Sequence, residues 1–370
     1  MAKENFISKL VYGFFHKYYY VPEDQSFEIG IPKSFLIIRQ HNQLGDLLAG
    51  NSIFRAIKET FPHSKTTLIV SSENYYGIVK NKFIDKFFVF DKKKLYNPFY
   101  IKQFLKLLHE NYDIVIVPVT VSISFTSNIL ARFANAKIRI GPLSLDGVMN
   151  KSHFLFDRRI PLDWRRYPDS NVADRILDIV RPFGINTSDF SSEISFDQND
   201  TEAAKKFILE LDLKSYELLV GIHSGAGKIP NRWSLVKFVN LIKKLNGNFN
   251  IKFYLTGSRA DYESINYIIE HIPFKTGLYL NKKISEVAAL ISISDLFITN
   301  DTGIMHVAGA TNTPQISIFG PTNPFNWAPS GKNKMFIKKS ELIDEISVDE
   351  VYELCVPFLM QKQRVTRHAE

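Results

Sequence analysis

A short polar turn contains the residues of this chain that are best suited to binding an anion. Asp301, Thr302 and Gly303 follow an apolar run, 296–299, that predicts a buried strand, and a helical run begins directly after them. Backbone N–H groups at a helix N-terminus attract phosphate, so Thr302 and Gly303 are candidates for binding one. His306 lies one helical turn later and would point at the same site. In the structural alternative, Asp301 or Thr302 only caps the helix and His306 is an ordinary half-buried histidine.

A basic, glycine-containing loop near the middle of the chain is a second candidate anion site. It follows an apolar run, 218–222, that predicts a strand, and it contains Ser224, Gly225, Lys228 and Arg232. Such a loop can fold its N–H groups and a cation around a phosphate. The alternative is a turn-rich connection without a ligand.

Asp46 is a carboxylate with two alternative roles. It follows a predicted strand, 34–39, and stands where a helical run, 47–60, begins. Its structural role would be that of a helix N-cap, and its functional role that of a carboxylate exposed at the carboxyl end of a strand. The turn contains only Gly45 and lacks the G-x-G-x-x-G pattern, so a nicotinamide cofactor is not supported.

These candidates occur in a regular alternation of predicted strands and helices. Such alternation predicts an α/β fold with parallel sheets, and 370 residues suggest two domains, or three. A polar segment at 186–199 predicts the linker between the domains. The further predicted strands are 66–70, 86–90, 114–117, 137–140, 253–257 and 314–319. The further predicted helices are 100–110, 122–134, 171–183, 201–211, 281–293, 304–310 and 348–359, and residues 362–370 predict a tail.

Composition and charge restrict the class of protein. The net charge of +8 suits an anionic partner, but zinc-ligand spacing and an aromatic RNA-binding signature are absent, so nucleic acid is disfavoured. The single cysteine, Cys355, cannot form an intrachain disulfide, which fits a reducing compartment. The sequence has no run of about 18 apolar residues and no apolar core with a cleavage site, so neither a transmembrane helix nor a secretory signal is expected.

Three basic regions have alternative interpretations. The aromatic, basic segment 6–20 predicts an amphipathic helix that is either a membrane-surface anchor or packed on the first domain. Lysines between residues 80 and 106 form either a solvated face or a surface for an anionic acceptor or lipid head groups. Arginines in a loop-like segment could bind acceptor phosphates or carboxylates. They are Arg158, Arg159, Arg165 and Arg166.

The turn around Asp301 and the residues after it resemble the C-terminal signature of glycosyltransferase family 9, the bacterial heptosyltransferases of lipopolysaccharide synthesis. The shared pattern is Asp-Thr-Gly, two residues, His, small residues, then Thr-Pro and Phe-Gly-Pro-Thr. Leu-Gly-Asp, which ends at Asp46, and Arg232-Trp233 also resemble the family and come in the family's order. The resemblance covers residues 34–360.

The resemblance implies roles for individual residues. Asp46 would be the general base that takes a proton from the acceptor hydroxyl. Asp261 would bind the ribose of the donor nucleoside, with Glu263 as the less favoured choice. Asp301 and His306 would position the sugar and the diphosphate.

The chain departs from the family pattern at two positions. Asn231 stands where the family has a lysine that helps to hold the phosphates or sugar of the donor, and Asn171 stands where it usually has histidine. Lys228 could reach the same region as the missing lysine, or Arg232 could carry the charge alone. The identity of the donor is therefore open at this point.

The resemblance also implies a GT-B architecture, in which two doubly wound, Rossmann-like α/β domains face each other across a cleft. The implied parts are an aromatic and basic extension at 1–33, an acceptor-binding domain at 34–188 and a nucleotide-sugar-binding domain at 189–345. Residues 346–370 would form a helix that crosses back to the first domain, and a tail.

The implied activity is inverting transfer of a sugar, with ADP-heptose as the favoured donor, to a lipopolysaccharide-core-type or other glycan acceptor. No metal and no cofactor are expected. The expected partners are the nucleotide sugar, an anionic glycan or glycolipid and a membrane surface, and the expected location is the cytoplasm or the inner face of the cytoplasmic membrane. The alternatives are a family-9 enzyme that uses another nucleotide sugar, and a non-catalytic nucleotide-sugar-binding protein.

Overall fold

The computed structural model describes residues 6–40 and 44–367. The chain divides into two compact units: the first comprises residues 1–75 and 81–190, and the second comprises residues 76–80 and 191–370. The division between residues 190 and 191 lies within the predicted linker. The roles of the two units in acceptor and donor binding stay predictions. No helix among the described residues is both long enough and apolar enough to span a membrane.

In the first unit, strands and helices alternate after an N-terminal helix. In chain order, the elements are α1 (Phe6–Tyr19), β1 (Ser34–Arg39), α2 (Leu44–Ala49), α3 (Ser52–Thr60), β2 (Lys65–Ser71), β3 (Lys86–Phe90), α4 (Pro98–Leu108), β4 (Tyr112–Ile116), α5 (Phe125–Phe133), β5 (Ala136–Leu145), β6 (Val148–Met149), β7 (Arg158–Leu162) and α6 (Val172–Arg175).

The strands of the first unit form one sheet with the order β3-β2-β1-β4-β5-β6, in which β7 also pairs with β5. β1 lies between β2 and β4 and is parallel to both. Strands in the middle of a parallel sheet are continuous apolar runs because both faces are covered, and Leu36, Ile37 and Ile38 of β1 are buried. The carboxyl ends of β1 and β4 therefore meet at one edge of this sheet.

The second unit repeats the alternation. In chain order, its elements are α7 (Gln198–Leu211), β8 (Leu218–His223), α8 (Leu235–Asn248), β9 (Ile251–Gly257), α9 (Tyr262–His271), β10 (Gly277–Leu280), α10 (Ile284–Ser292), β11 (Leu296–Asn300), α11 (Gly303–Gly309), β12 (Gln315–Phe319), α12 (Pro324–Trp327), β13 (Lys334–Lys338) and α13 (Val348–Arg367).

The second sheet has the order β10-β9-β8-β11-β12-β13, and its neighbouring strands are parallel. Its core includes Trp233, Phe238 and Ile242, which pack with the strands on one face of the sheet. α13 packs against α8 and against β8, β11 and β12, all within the second unit. The predicted crossing of this helix to the first unit stays a prediction.

Most predicted strands are confirmed within one or two residues, but several helices differ. The helix predicted at 47–60 is interrupted at Gly50, which separates α2 from α3. A Cβ at Gly50 would lie 2.6 Å from Cδ1 of Ile176, so this close approach needs glycine. At the C-terminus, α13 continues to Arg367, so the predicted tail is wrong for residues 362–367.

Two predictions near the end of the first unit are wrong. The helix predicted at 171–183 is only the single turn α6, followed by two short 3-10 helices. Pro182 lacks an N–H group, and the segment ends at Gly184, whose φ of +76° lies in the left-handed region. Arg158 and Arg159 were predicted in a loop but begin strand β7.

The N-terminal helix α1 packs on the first unit, which was one of its two predicted alternatives. The rings of Tyr12 and Phe15 lie 4.7 and 5.6 Å from the ring of Phe125, measured between centroids. Tyr19 contacts Phe133 in the same way at 5.2 Å. These contacts join α1 to α5.

Candidate functional site

The predicted donor-binding residues of the second unit lie at one edge of its sheet. They occupy the segments that follow the parallel strands β8, β9 and β11. Carboxyl ends of neighbouring parallel strands meet at the same edge, which is where ligands bind in open α/β sheets. The fold therefore gathers segments that are far apart in the sequence.

Asn300, the last residue of β11, connects the loop after β8 to the strand. Its Nδ2 donates to the carbonyl oxygen of Ser224 at 2.8 Å, and its Oδ1 accepts from the backbone N–H of Trp233 at 3.3 Å. The Trp233 ring is buried and its Nε1 donates to the carbonyl oxygen of Ile346 at 3.0 Å. Both ends of the loop at 224–233 are thus fixed to the core.

Gly225 lies directly against Asp261 and the end of β8. A Cβ at position 225 would lie 2.2 Å from Oδ1 of Asp261 and 3.2 Å from Nε2 of His223. Only glycine allows this approach. Oδ2 of Asp261 accepts hydrogen bonds from the backbone N–H and the hydroxyl of Ser258, at 2.8 and 2.9 Å. Asp261 therefore has a structural role in the turn after β9, and its binding of ribose stays a prediction.

Asp301 is hydrogen-bonded to Asn231, the residue that stands where the family has a lysine. Nδ2 of Asn231 donates to Oδ2 of Asp301 at 2.8 Å, and Oδ1 of Asn231 is buried with no hydrogen-bond partner in the described part of the chain. Burial raises the pKa of Asp301, while the Thr322 hydroxyl and the Lys228 ammonium oppose this shift. The Lys228 ammonium thus favours the charged form of Asp301.

Arg232 is the second cation proposed to replace the missing lysine, and it contacts the loop itself. Its Nε donates to the carbonyl oxygen of Ala226 at 2.8 Å, which braces the loop, while the side chain as a whole stays exposed.

α11 brings Thr302, Gly303 and His306 to the same edge. Thr302 is the N-cap residue by position, but its side chain makes no capping hydrogen bond, so the capping alternative is wrong for this residue. His306 is buried, and burial lowers its pKa to about 4. The imidazole is therefore neutral at physiological pH, and its ring centroid lies 6.4 Å from that of Trp327.

A partly buried lysine holds the other end of α11. Nζ of Lys334 donates to the carbonyl oxygens of Ala308, Thr311 and Thr313 at 3.0, 2.8 and 2.6 Å. These carbonyls lie in the last turn of the helix and just after it, where the dipole favours a cation. These hydrogen bonds fix the C-terminal end of α11, and with it the orientation of His306.

His223 was missed by the sequence interpretation although it ends β8. Its Nδ1 lies 3.0 Å from the carbonyl oxygen and 3.1 Å from Oγ1 of Thr256, and burial lowers its pKa. A histidine at the carboxyl end of a predicted strand was the available signal. The hydrogen bond at Nδ1 leaves Nε2 directed toward Gly225 and Asp261.

In the first unit, Asp46 lies within the first turn of α2 rather than at its N-cap, so the capping alternative is wrong. Nη2 of Arg39 donates to the backbone carbonyl oxygen of Asp46 at 2.5 Å and to Oγ1 of Thr120 at 3.2 Å. Burial lowers the pKa of Arg39 to about 10, and the Asp46 carboxylate opposes this shift. A buried cation therefore lies beside the predicted base.

The four predicted acceptor arginines fall into two pairs. Arg158 and Arg159 are buried and pair with Asp24 and Glu23 of the N-terminal segment. The structure thus shows a structural function for them. Arg165 and Arg166 are exposed, and Arg165 forms an ion pair with Asp163 at 2.6 Å. An acceptor-binding role stays a prediction for all four.

The described residues contain no group of three or more His, Cys, Asp or Glu side chains arranged to hold a metal ion. Metal independence stays a prediction.

The sequence profile of glycosyltransferase family 9 (heptosyltransferase) matches residues 101–351. Lipopolysaccharide heptosyltransferase 3 of Escherichia coli is 26% identical over 300 residues, which cover 78% of this chain and 84% of that protein. The crystal structure of the family 9 glycosyl transferase from Veillonella parvula DSM 2008 is 20% identical, with a TM-score of 0.77 over 91% of this chain and 100% of that one. The structure of E. coli ADP-heptose lps heptosyltransferase II is 19% identical, with a TM-score of 0.70 over 89% of this chain and 99% of that one. The chain therefore belongs to glycosyltransferase family 9 and is a glycosyltransferase with the GT-B architecture.

Proposed function

We propose that this enzyme transfers a heptose from ADP-heptose to a lipopolysaccharide-core-type acceptor with inversion at the anomeric carbon. The observation that supports the proposal is the edge of the second sheet, where Gly225 lies against Asp261 and Asn231 donates a hydrogen bond to Asp301. Relatives that are named lipopolysaccharide heptosyltransferases support the same assignment. The alternative is another nucleotide sugar, which Asn231 keeps open because it replaces the family's lysine.

In the proposed donor complex, different residues of the second unit bind different parts of the nucleotide sugar. Asp261 binds the ribose hydroxyls, and the loop from Ser224 to Lys228 binds the diphosphate. Asp301 accepts hydrogen bonds from sugar hydroxyls. A neutral His306 can donate or accept one hydrogen bond without adding charge.

In the proposed reaction, the Asp46 carboxylate takes the proton of the acceptor hydroxyl. The oxygen attacks the anomeric carbon, the bond from that carbon to the diphosphate oxygen breaks, and ADP leaves with the electron pair. Negative charge grows on the diphosphate and needs a compensating positive charge. Lys228 supplies it, assisted by Arg232 and by the backbone N–H groups at Thr302 and Gly303. No metal or other cofactor is required in this scheme.

The acceptor is proposed to be an anionic glycan or glycolipid, because the chain carries a net charge of +8. We place the reaction in the cytoplasm, with the enzyme either free or on the inner face of the cytoplasmic membrane. A non-catalytic nucleotide-sugar-binding protein is the least favoured alternative, since Asp46 is present beside a buried cation.

Calorimetric titration with ADP, UDP, GDP and ADP-heptose tests the donor. We expect ADP to bind in preference to UDP and GDP, and ADP-heptose to bind more tightly than ADP. Turnover with the bound donor should survive removal of divalent metals by EDTA. Preference for UDP or GDP would exclude ADP-heptose and favour another nucleotide sugar, and loss of turnover with EDTA would exclude the metal-free scheme.

A further inference from the structure

We propose that a cavity of the first unit binds an acyl chain of the membrane lipid that carries the acceptor. This inference rests on the proposed glycolipid acceptor. The cavity has a volume of about 440 Å³, which lies in the range of about 300–1,000 Å³ typical of small-molecule sites. Its apolar walls come from α1, the segment before α5, the first residue of α5 and the β5–β6 hairpin. They are Tyr12, Val121, Ile123, Phe125, Val148 and Met149.

The hairpin that forms one wall exposes apolar side chains at a place where polar ones are usual. Asp146 and Gly147, with φ of +50° and +81°, form the two-residue turn between β5 and β6. Directly after the turn, Val148 is 70% exposed and Met149 is 56% exposed. Val121, across the cavity, is 54% exposed. An apolar surface of this kind marks an interaction site.

α1 extends this apolar surface because it is apolar on two sides. Its inner side carries Tyr12, Phe15 and Tyr19, which pack on α5. Its outer side exposes Leu10, Phe14 and Tyr18 at helical spacing. Lys9 and Lys17 are exposed on the same helix. Aromatic and aliphatic residues flanked by lysines are typical of a helix that lies in the interface of an anionic membrane.

The polar rim of the cavity suits an anionic head group. Lys151 lines the cavity, and the Arg165 guanidinium lies against the hairpin turn, since a Cβ at Gly147 would be 2.6 Å from its Nη1. Arg166 is exposed next to it. The Asp146 carboxylate at the rim accepts a hydrogen bond from the backbone N–H of Trp164 at 2.8 Å. Basic groups beside apolar walls match a lipid with an acidic head group.

The cavity lies at the same edge of the sheet as Asp46. Val121 follows β4, the neighbour of β1, and the preceding residue, Thr120, accepts a hydrogen bond from Arg39. The same Arg39 nitrogen donates to the carbonyl oxygen of Asp46. A lipid whose chain occupies the cavity would therefore present its glycan part along the edge at which the predicted base lies.

Vesicle binding tests the surface. Full-length enzyme is sedimented with phosphatidylcholine vesicles and with vesicles that also contain phosphatidylglycerol. We expect binding to the anionic vesicles, and a reduction of roughly tenfold or more in Val148→Asp/Met149→Asp, because two apolar side chains lose their burial. The matched control is Leu209→Asp, an exposed leucine of the second unit that is 80% exposed and should bind as the wild type does. Equal binding by the hairpin variant and the wild type would overturn the proposal.

A second variant distinguishes binding inside the cavity from binding to the surface around it. Val121→Trp fills the cavity while it adds apolar surface, and the probe is the fluorescent fatty acid cis-parinaric acid. A cavity site predicts that the probe binds the wild type and is lost in Val121→Trp, whereas unchanged probe binding would overturn it.

Calorimetry with ADP makes failure of this inference distinguishable from failure of the proposed function. The hairpin variant should bind ADP as the wild type does, because the predicted nucleotide site lies in the second unit. If the wild type binds the probe and anionic vesicles but not ADP-heptose, the lipid site stands and the donor assignment fails. If ADP-heptose is turned over but the probe does not bind, the donor assignment stands and the lipid site fails.

Discussion

In the first sheet β1 lies between β2 and β4, and in the second sheet β8 lies between β9 and β11, so the two units place their central loops alike. The side chains at the two edges are connected differently. In the second unit, Asn231 donates to the Asp301 carboxylate and Asn300 donates to the carbonyl of Ser224. In the first unit, a buried Arg39 holds the backbone carbonyl of Asp46.

A shared topology therefore positions a residue, whereas its neighbours decide what it can do. The edge of the second sheet is a polar network that contains the buried side chains of Asn231 and Asn300, as suits a ligand that is bound in one orientation. The edge of the first sheet combines one buried cation with an exposed apolar hairpin. We expect the edge of the first sheet to govern turnover and the edge of the second sheet to govern donor binding.

The largest effect is expected at the first edge. Asp46→Asn should lower turnover by roughly 10²- to 10⁴-fold, because the amide cannot accept the proton of the acceptor hydroxyl. ADP binding, measured by calorimetry, should not change. The matched control is Asp91→Asn, because Asp91 caps the short 3-10 helix Lys92–Lys94 and asparagine caps a helix as well as aspartate does. Unchanged turnover in Asp46→Asn would contradict the assignment of Asp46 as the general base.

At the second edge, Asp301→Ala should weaken ADP-heptose binding by roughly 10- to 100-fold, because a charged hydrogen-bond acceptor for the sugar is lost. Binding of ADP alone should change less, since the carboxylate is proposed to contact the sugar. Asp349→Ala, an exposed aspartate of α13, serves as the control. An equal loss of affinity for ADP and for ADP-heptose would show that Asp301 does not contact the sugar.

Burial of His306 predicts a pH dependence of stability. Its pKa is about 4 in the folded protein, below the ordinary value of about 6.5. Between these values the unfolded chain takes up a proton that the folded chain does not, so stability present above pH 6.5 is lost as the pH falls. From pH 7 to pH 5, this amounts to about 2 kcal/mol.

His306→Gln should reduce that loss, as measured by urea unfolding at both pH values. His63→Gln, which changes an exposed histidine of the first unit, should leave the loss as it is in the wild type. Identical losses in His306→Gln and the wild type would show that the second edge is more open to water than its structure indicates.

The smallest effect concerns the cation that replaces the family's lysine. Lys228→Ala should weaken ADP binding by roughly tenfold, because a charge near the diphosphate is lost, and Arg232→Ala should weaken it less. Asn231→Lys in the Lys228→Ala background should recover the lost affinity. A larger loss in Arg232→Ala than in Lys228→Ala would reverse their assignment.

The sequence predicted β8, β9, β11 and β12 of the second sheet because these strands are continuous apolar runs, but it missed the outer strands β10 and β13. It did not predict the partners of Arg158 and Arg159, since Glu23 and Asp24 lie more than a hundred residues away in the chain. The close contact of Gly50 also involves a distant residue, Ile176.

The β5–β6 hairpin, by contrast, had a local signal that was overlooked. Asp146-Gly147 between apolar residues is a strong hairpin pattern. The wrong helix at 171–183 contained Pro182, which disfavours helix at the residue before it. Local rules thus explain some errors, and long-range packing explains the others.

The shortness of β6 matters for how the protein behaves at high concentration. An edge strand with unpaired N–H and C=O groups can template the addition of a strand from another copy. β6 consists only of Val148 and Met149, so it offers too little backbone to extend the sheet. The chain can therefore expose two apolar side chains at a sheet edge without promoting fibre growth by strand addition.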